Sequence, residues 1–149
     1  GIVWWRETSN VDTMSFNAMY AAKAAKMAYK MAGITNAAKE VDFAEVDDRF
    51  AFKEIQHIEA LELSKRFETA TLMTEGYFDR NGELPVNVSG GNLGVGNLLE
   101  CTGGQKALEV VLQLRGEVGK RQLSKAEIGV AQAWRYIPTA SGAVAVFGV

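Results

Sequence analysis

One cysteine, Cys101, and one histidine, His57, are the side chains in this 149-residue sequence with the types for nucleophilic chemistry. Cys101 stands in Gly96-Asn-Leu-Leu-Glu-Cys-Thr-Gly-Gly104, after a glycine-rich approach (Ser89–Gly96) and before a helical pattern. A thiol in front of a helix N-terminus sits where the dipole favours thiolate. Its base would have to be His57, which lies in a different helical segment and has no carboxylate or second ligand four residues away. A histidine so placed reads as structural or solvated, and a lone cysteine before an apolar helix is commonly a small buried residue. The glycines suggest a phosphate cradle instead. Their spacing, Gly91-x-x-Gly94-x-Gly96, reverses the dinucleotide fingerprint, and no Gly-x-x-x-x-Gly-Lys run exists. With one cysteine and one histidine, a closed structural zinc site lacks ligands.

These groups must be held by a scaffold. The chain is 48% hydrophobic and 23% charged, which suits one domain with a core of its own. Net charge is −2, with no basic stripe evident in the sequence, so a nucleic-acid footprint is not expected. No apolar run is long enough to span a bilayer, and a membrane is not an expected partner. The start, Gly-Ile-Val-Trp-Trp-Arg-Glu, lacks a basic region followed by an apolar core and lacks a methionine. It reads as a processed end or as a piece of a longer protein. A single thiol fits a reducing cytoplasm.

Along the chain, Ile2–Arg6 reads as a buried strand. Ser9 or Asp12 can start a helix that runs through the Ala-, Met- and Lys-rich Met14–Met31 and stops at Gly33. Val41–Val46 alternates as a strand does. Phe52, Ile55, Ile58 and Leu61 mark one face of a second helix. Phe67–Gly82 has no clear period and ends in an Arg80-Asn81-Gly82 turn. Leu84–Val88, with Pro85, is an edge or irregular strand. A third helix follows Thr102, with an apolar stripe of Ala107, Val110, Val111 and Leu114 widened by Leu108 and Leu112, and it ends at Gly116 or Gly119. Glu127–Trp134 and Gly142–Val149 are strands joined by a loop, close enough in sequence to pair antiparallel. The order β-α-β-α-β-α-β-β predicts an α/β domain, a layered mixed sheet of five strands with helices.

Asn87-Val-Ser-Gly-Gly91, the glycine loop, and Gln113-Leu-Arg-Gly-Glu-Val-Gly-Lys-Arg-Gln122 in this order resemble the C-terminal half of a thiolase. The sterol-carrier-protein-type branch and the archaeal acetyl-CoA acetyltransferases are the nearest in pattern. Tyr29-Lys-Met-Ala-Gly33 and Val41-Asp-Phe-Ala-Glu45 match upstream segments, so the resemblance covers essentially residues 1–149 as one thiolase-like C-terminal domain. It implies a half-fold whose nucleophile-bearing N-terminal half lies elsewhere, in the same chain or in another subunit. It also implies an acyl-CoA substrate, no cofactor, and an apolar face where the other half packs. A homo-oligomer or a zinc-ribbon/OB-fold accessory protein is a further implied partner.

The catalytic corners depart from the family pattern. Asn97 stands where the histidine of Gly-His-Pro would be; it can donate a hydrogen bond but cannot take a proton. Glu100 replaces a glycine, and Cys101 falls at the small residue before Thr102-Gly103. In the His-Asp-x-Phe segment, Asp48 and Phe50 match, while Asp47 replaces an oxyanion-hole residue and Arg49 a small residue or cysteine. An ionised Asp47 facing the site would repel an oxyanion. The last loop, Ala133–Gly142, carries Arg135 and Tyr136 but neither cysteine nor a glycine run. The resemblance therefore places Asn97, Asp47, Asp48, Arg49, Glu100 and Tyr136 at the altered catalytic positions. Gly96, Phe50, Ser141 and Gly142 fall beside the acyl-CoA. A thioester enolate needs fixed donors and a base. Three readings stay open: ordinary thiolase chemistry, altered carbon–carbon chemistry of the kind aldolase-type relatives perform, and a non-catalytic interaction module.

Overall fold

The structure, a computed structural model, describes residues 1–3, 18–135 and 141–149. The expected helix start at Ser9 or Asp12, the first residues of the Met14–Met31 helix and most of the Trp134–Ser141 loop lie outside them.

The central sheet has the strand order β1-β4-β3-β2. Here β1 is Ile2–Val3, β2 is Phe43–Glu45, β3 is Ile128–Trp134 and β4 is Gly142–Gly148. As expected from their closeness, β3 and β4 pair antiparallel, from Ile128↔Gly148 to Trp134↔Gly142. β2 joins β3 in parallel, with Ala44 opposite Val130. The expected fifth strand is reduced to one parallel bridge, Ala44↔Val86. Two bonds flank it: the Ala44 N–H donates to the Pro85 carbonyl at 3.0 Å and the Asn87 N–H to the Ala44 carbonyl at 2.9 Å. Pro85 has no N–H with which to extend the ladder, and Asn87 turns out of it at φ 54°.

Strand alternation divides the core. Val130 and Val144 point to the side of helix α1 (Met19–Ala32), where Ala24, Ala25 and Ala28 pack with Ala44, Val46 and Ile58. The last of these comes from α3, Ala51–Ala60, which follows the short α2, Ala37–Glu40. Small alanines let α1 lie close on β4. Gly33 stops α1 as expected, at φ 76°, donating its N–H to the Tyr29 carbonyl. Phe43 and Ala131 point to the other side, against Val110 of the long helix.

Three short helices lie where no helix is expected, α2 among them. α4, Thr69–Thr74, hides its period behind β-branched threonines. α5, Gly91–Val95, follows two glycines in the left-handed region. After a 3-10 turn at Leu99–Cys101 comes α6, Thr102–Leu114. Its buried face is not the predicted apolar stripe. Val110 is buried, but so are Lys106, Glu109 and Gln113, while Leu108 is 57% exposed. No helix among the described residues is long and apolar enough to cross a membrane.

Those polar residues fold the chain back after α6. Gln113 accepts the Leu123 N–H at 3.1 Å through Oε1 and donates to the Arg121 carbonyl at 3.0 Å through Nε2. Gln122 Nε2 donates to the Gln113 carbonyl at 2.9 Å, and Arg121 pairs with Glu109 at 2.9 Å. The Gln113–Gln122 motif is thus a staple between α6 and β3. Gln113→Ala strands a buried N–H and a carbonyl, so it should lower unfolding free energy by about 2 kcal/mol. Leu108→Ala, at an exposed position of the same helix, should cost about 0.5 kcal/mol or less. Urea denaturation of the two variants checks both.

Candidate functional site

Three segments meet beyond the end of β2: Val46–Phe50, Asn87–Val95 and the start of α6. Carboxylates of the first segment tie them together. The Asp48 carboxylate accepts the N–H of Asn92 at 2.6 Å and of Leu93 at 3.4 Å, and lies 3.5 Å from Lys106 Nζ. A Cβ on Gly91 would collide with the Asp48 carboxylate, and Gly91 holds φ +60°. Only glycine fits there. Glu45 accepts the Ser89 N–H at 2.9 Å and its hydroxyl at 2.6 Å. Asn87 accepts the Val46 N–H at 2.8 Å and donates to Glu54 at 2.7 Å. The Asn87–Gly91 motif therefore acts as a clamp: each polar side chain in it holds β2 or its extension. Burial pushes the carboxyls of Glu45 and Glu54 above their usual range, against the pull of Ser89 and Asn87.

Asp47 is fully buried. Its Oδ2 lies 3.1 Å from Arg49 Nε, and its N–H donates to Gln132 at 2.8 Å. Burial raises its carboxyl, opposed first by Arg49. The feared carboxylate is thus turned inward, and Arg49, which also donates to the Trp134 carbonyl at 3.1 Å, lines the cavity in its place with a side chain only 10% exposed.

His57 is structural. Its Nδ1 lies 2.7 Å from the Asp47 carbonyl, which only accepts, so Nδ1 carries the proton and Nε2 accepts the Tyr20 hydroxyl at 2.8 Å. Burial pushes its pKa down to about 3.

A cavity of about 600 Å³ opens beside these groups, lined by Arg49, Asn97, Glu100, Arg135, Ser141 and Gly142, with Leu99 and Trp134 as apolar wall. Six residues singled out from the sequence thus share one cavity: Arg49, Asn97, Glu100, Arg135, Ser141 and Gly142. Asp47 and Asp48 are buried behind it and act through Arg49 and α5. Phe50 stacks on Phe52 and meets Trp134 edge-on outside the lining. Gly96, exposed at φ 104°, turns the chain between α5 and Asn97. Tyr136 lies outside the described residues. Asn97 Oδ1 accepts the Leu99 N–H at 3.1 Å and the Thr102 hydroxyl at 3.3 Å. Both acceptor contacts lie on its own loop, so the amide NH₂ is turned away from them. Cys101 is exposed rather than buried, and it stands outside the lining. Lys106 was missed in the sequence because, after Gly104-Gln105 and ahead of the apolar stretch, it reads as a solvated side chain. Its spacing to Glu109 and Gln113 is the signal, since 106, 109, 110 and 113 share one helical face.

The His57 environment predicts an acid-labile fold. The unfolded chain takes a proton as pH falls through 6.5, whereas the folded chain takes it only near 3. Over that window the unfolded state binds more protons, so stability falls with pH by up to about 1.4 kcal/mol per unit. Glu45, Asp47 and Glu54, with raised values, act in the opposite sense. The histidine contribution is therefore isolated by comparison with His57→Asn. The cost of that substitution, measured in urea, should shrink steadily from about pH 7 to pH 5; a cost independent of pH would refute the assignment.

The family model described as thiolase C-terminal domain-like matches residues 3–148. An acetyl-CoA acetyltransferase of Methanothermobacter thermautotrophicus is 42% identical over 107 residues, covering 72% of this chain and 27% of that protein. Sterol carrier protein 2 of Homo sapiens is 32% identical over 126 residues, covering 85% of this chain and 22% of its own length. The chain thus spans about a quarter of the length of these relatives. A solved structure described as the Ltp2-ChsH2(DUF35) aldolase shares the fold, with a TM-score of 0.70 at 21% identity over 86% of this chain and 31% of that one. With the match running nearly end to end, the chain belongs to the thiolase C-terminal domain-like family.

Proposed function

We propose that this domain forms the C-terminal wall of a cytoplasmic acyl-CoA site at which a carbon–carbon bond is made or broken, without the ordinary cysteine–histidine machinery of a thiolase. The observation that carries this reading is the shared cavity. The family's altered positions converge there as Arg49, Asn97 and Glu100, beside Ser141 and Gly142. Breaking the bond between the α and β carbons of a β-hydroxyacyl thioester leaves an enolate on the thioester. The hydroxyl proton goes to a base. The Asn97 amide and the Arg49 guanidinium supply donors for the enolate oxygen, and the Glu100 carboxylate is the acid–base group on the same wall. With Asp47 paired inward, that wall presents a cation where the sequence alone suggested an anion. The fold neighbour is described as an aldolase, which supports this class of chemistry.

The nucleophile-bearing half docks, in this reading, along α6. Leu108 is exposed there, and a second cavity of about 530 Å³ runs between α6 and β4 along Gly103, Ala107, Ala131, Ala143 and Ala145. Such small side chains let a partner element approach closely. The chain's share of its relatives' length supports the same occupant. The fold neighbour is described together with a second protein, ChsH2(DUF35), which supports an accessory protein partner; a zinc-ribbon/OB-fold protein in that place and self-association are further expectations.

Calorimetric titration of acyl-CoA into the assembly with an N-terminal half tests the site. Asn97→Ala and Glu100→Gln, both at exposed positions, should each reduce turnover about 10- to 100-fold while the assembly stays intact. If neither binding nor turnover changes in either variant, the cavity is not the site and the domain is an interaction module.

A further inference from the structure

Strand alternation fixes which way the backbone groups of β4 point. Ala143, Ala145 and Phe147 stand opposite Ala133, Ala131 and Gly129, and the Val149 N–H donates to the Glu127 carbonyl at 3.1 Å. The odd-numbered positions therefore bond to β3, and the even-numbered ones point their N–H and C=O away from it. On that outer side the Val144 N–H donates to the Gly1 carbonyl at 2.9 Å, and the Val144 carbonyl accepts from the Gly1 nitrogen at 2.7 Å. β1 itself stands opposite Gly142 and Ala143. Val146 and Gly148 face the same outer side, and no further strand lies beside them among the described residues.

A free sheet edge is ordinarily blunted by a lysine, a proline or a bulge. β4 reads Gly-Ala-Val-Ala-Val-Phe-Gly, without charge or proline, and its pairing with β3 runs unbroken. Helices wall the edge on both sides. Ala28, Met31 and Ala32 of α1 and Gly103 and Ala107 of α6 flank the 530 Å³ cavity, and Ala143–Val146 form its floor. The next strand of a sheet lies about 4.8 Å beyond its neighbour, which is where this groove runs. Its walls are apolar and, Met31 apart, small. A strand laid there has both faces covered by helices, and such strands are apolar on both faces. In line with β1, it meets Val146 and Gly148 in the register that β1 and Gly1 already keep.

We propose that an extended apolar segment of the N-terminal half adds to the sheet as an edge strand, end to end with β1 and antiparallel to β4. The inference rests on the docking of that half proposed above, and it assigns the contact. Backbone bonds form to Val146 and Gly148, and apolar side chains pack against α1 and α6. Docking by side chains along α6 alone leaves those backbone bonds unmade. The chemistry at Arg49, Asn97 and Glu100 does not enter the argument.

Amide hydrogen exchange, followed by NMR in the chain alone and in its assembly with an N-terminal half, tests this. Assembly should slow the Val146 and Gly148 amides about 100-fold or more, while Ala145 and Phe147, bonded to β3, are slow in both. Val146→Pro and Gly148→Pro each delete an outward N–H and spare the β3 ladder. Each should weaken assembly about ten-fold, and Val146→Ala and Gly148→Ala, which keep the N–H, about two-fold or less. Gly148→Pro removes no side chain, so it reads the backbone bond even where Val146→Pro unfolds the chain. An assembly in which the Val146 and Gly148 amides exchange as fast as in the chain alone overturns strand addition and leaves the docking reading standing. So does equal assembly by the proline and alanine variants. No assembly by the unaltered chain refutes the docking reading and the added strand with it. Slow exchange of both amides in the chain alone, at the mass of a dimer, gives the edge to a second copy and overturns the proposal.

Discussion

The ion pair between Lys106 and Asp48 is the constraint on which the site depends. Both side chains are out of water, Lys106 completely. Stripping solvent from an ammonium and a carboxylate costs several kcal/mol, and their attraction offsets this only when each keeps further partners. Asp48 keeps the two backbone N–H groups at the start of α5, and Lys106 also feels Glu45, Asp47 and Glu54. One buried contact therefore joins the extension of β2, the start of α5 and the interior of α6. Asn97 and Glu100 sit on the loop between the last two, so their positions follow from an interaction that neither of them makes.

The motifs that best identify the family turn out to be scaffolding. Asn87, Ser89 and Gly91 hold Val46, Glu45 and Asp48; Gln113, Arg121 and Gln122 hold the return from α6. These contacts need a particular side chain at a particular place, whereas the cavity wall between them can change. This explains how the chain departs from the family pattern at three corners and still matches it from residue 3 to 148.

Local patterns were legible where one periodicity governed. The antiparallel β3–β4 pair and the Gly33 stop were readable because alternation and a left-handed glycine are local properties, whereas the expected apolar face of α3 held only in part: Ile58 and Leu61 are buried, but Phe52 is 53% exposed and Lys53 and His57 are buried in its place. The polar face of α6 was not legible, because Lys106, Glu109 and Gln113 are buried by partners far away in sequence, and hydropathy assigns such residues to solvent. The fifth strand failed for a related reason: Leu84–Val88 has strand composition, but Pro85 and the left-handed Asn87 confine it to one bridge. At the site, the sequence placed Arg49, Asn97 and Glu100 together through resemblance alone. Which way Asp47 points depended on a pairing two residues away that no pattern reports.

That orientation decides what the wall can do. An ionised carboxylate beside a developing enolate would raise the energy of the intermediate. A carboxylate buried behind an arginine instead holds that arginine in place, and the field at the cavity comes from the guanidinium. The lone histidine offers no substitute base, since its pKa of about 3 leaves it neutral and its two nitrogens are already engaged by Asp47 and Tyr20. Cys101 stands outside the lining. In the proposed reading, proton transfer at the described wall would therefore fall to a carboxylate, Glu100, and thiol or imidazole chemistry would have to come from the proposed N-terminal half.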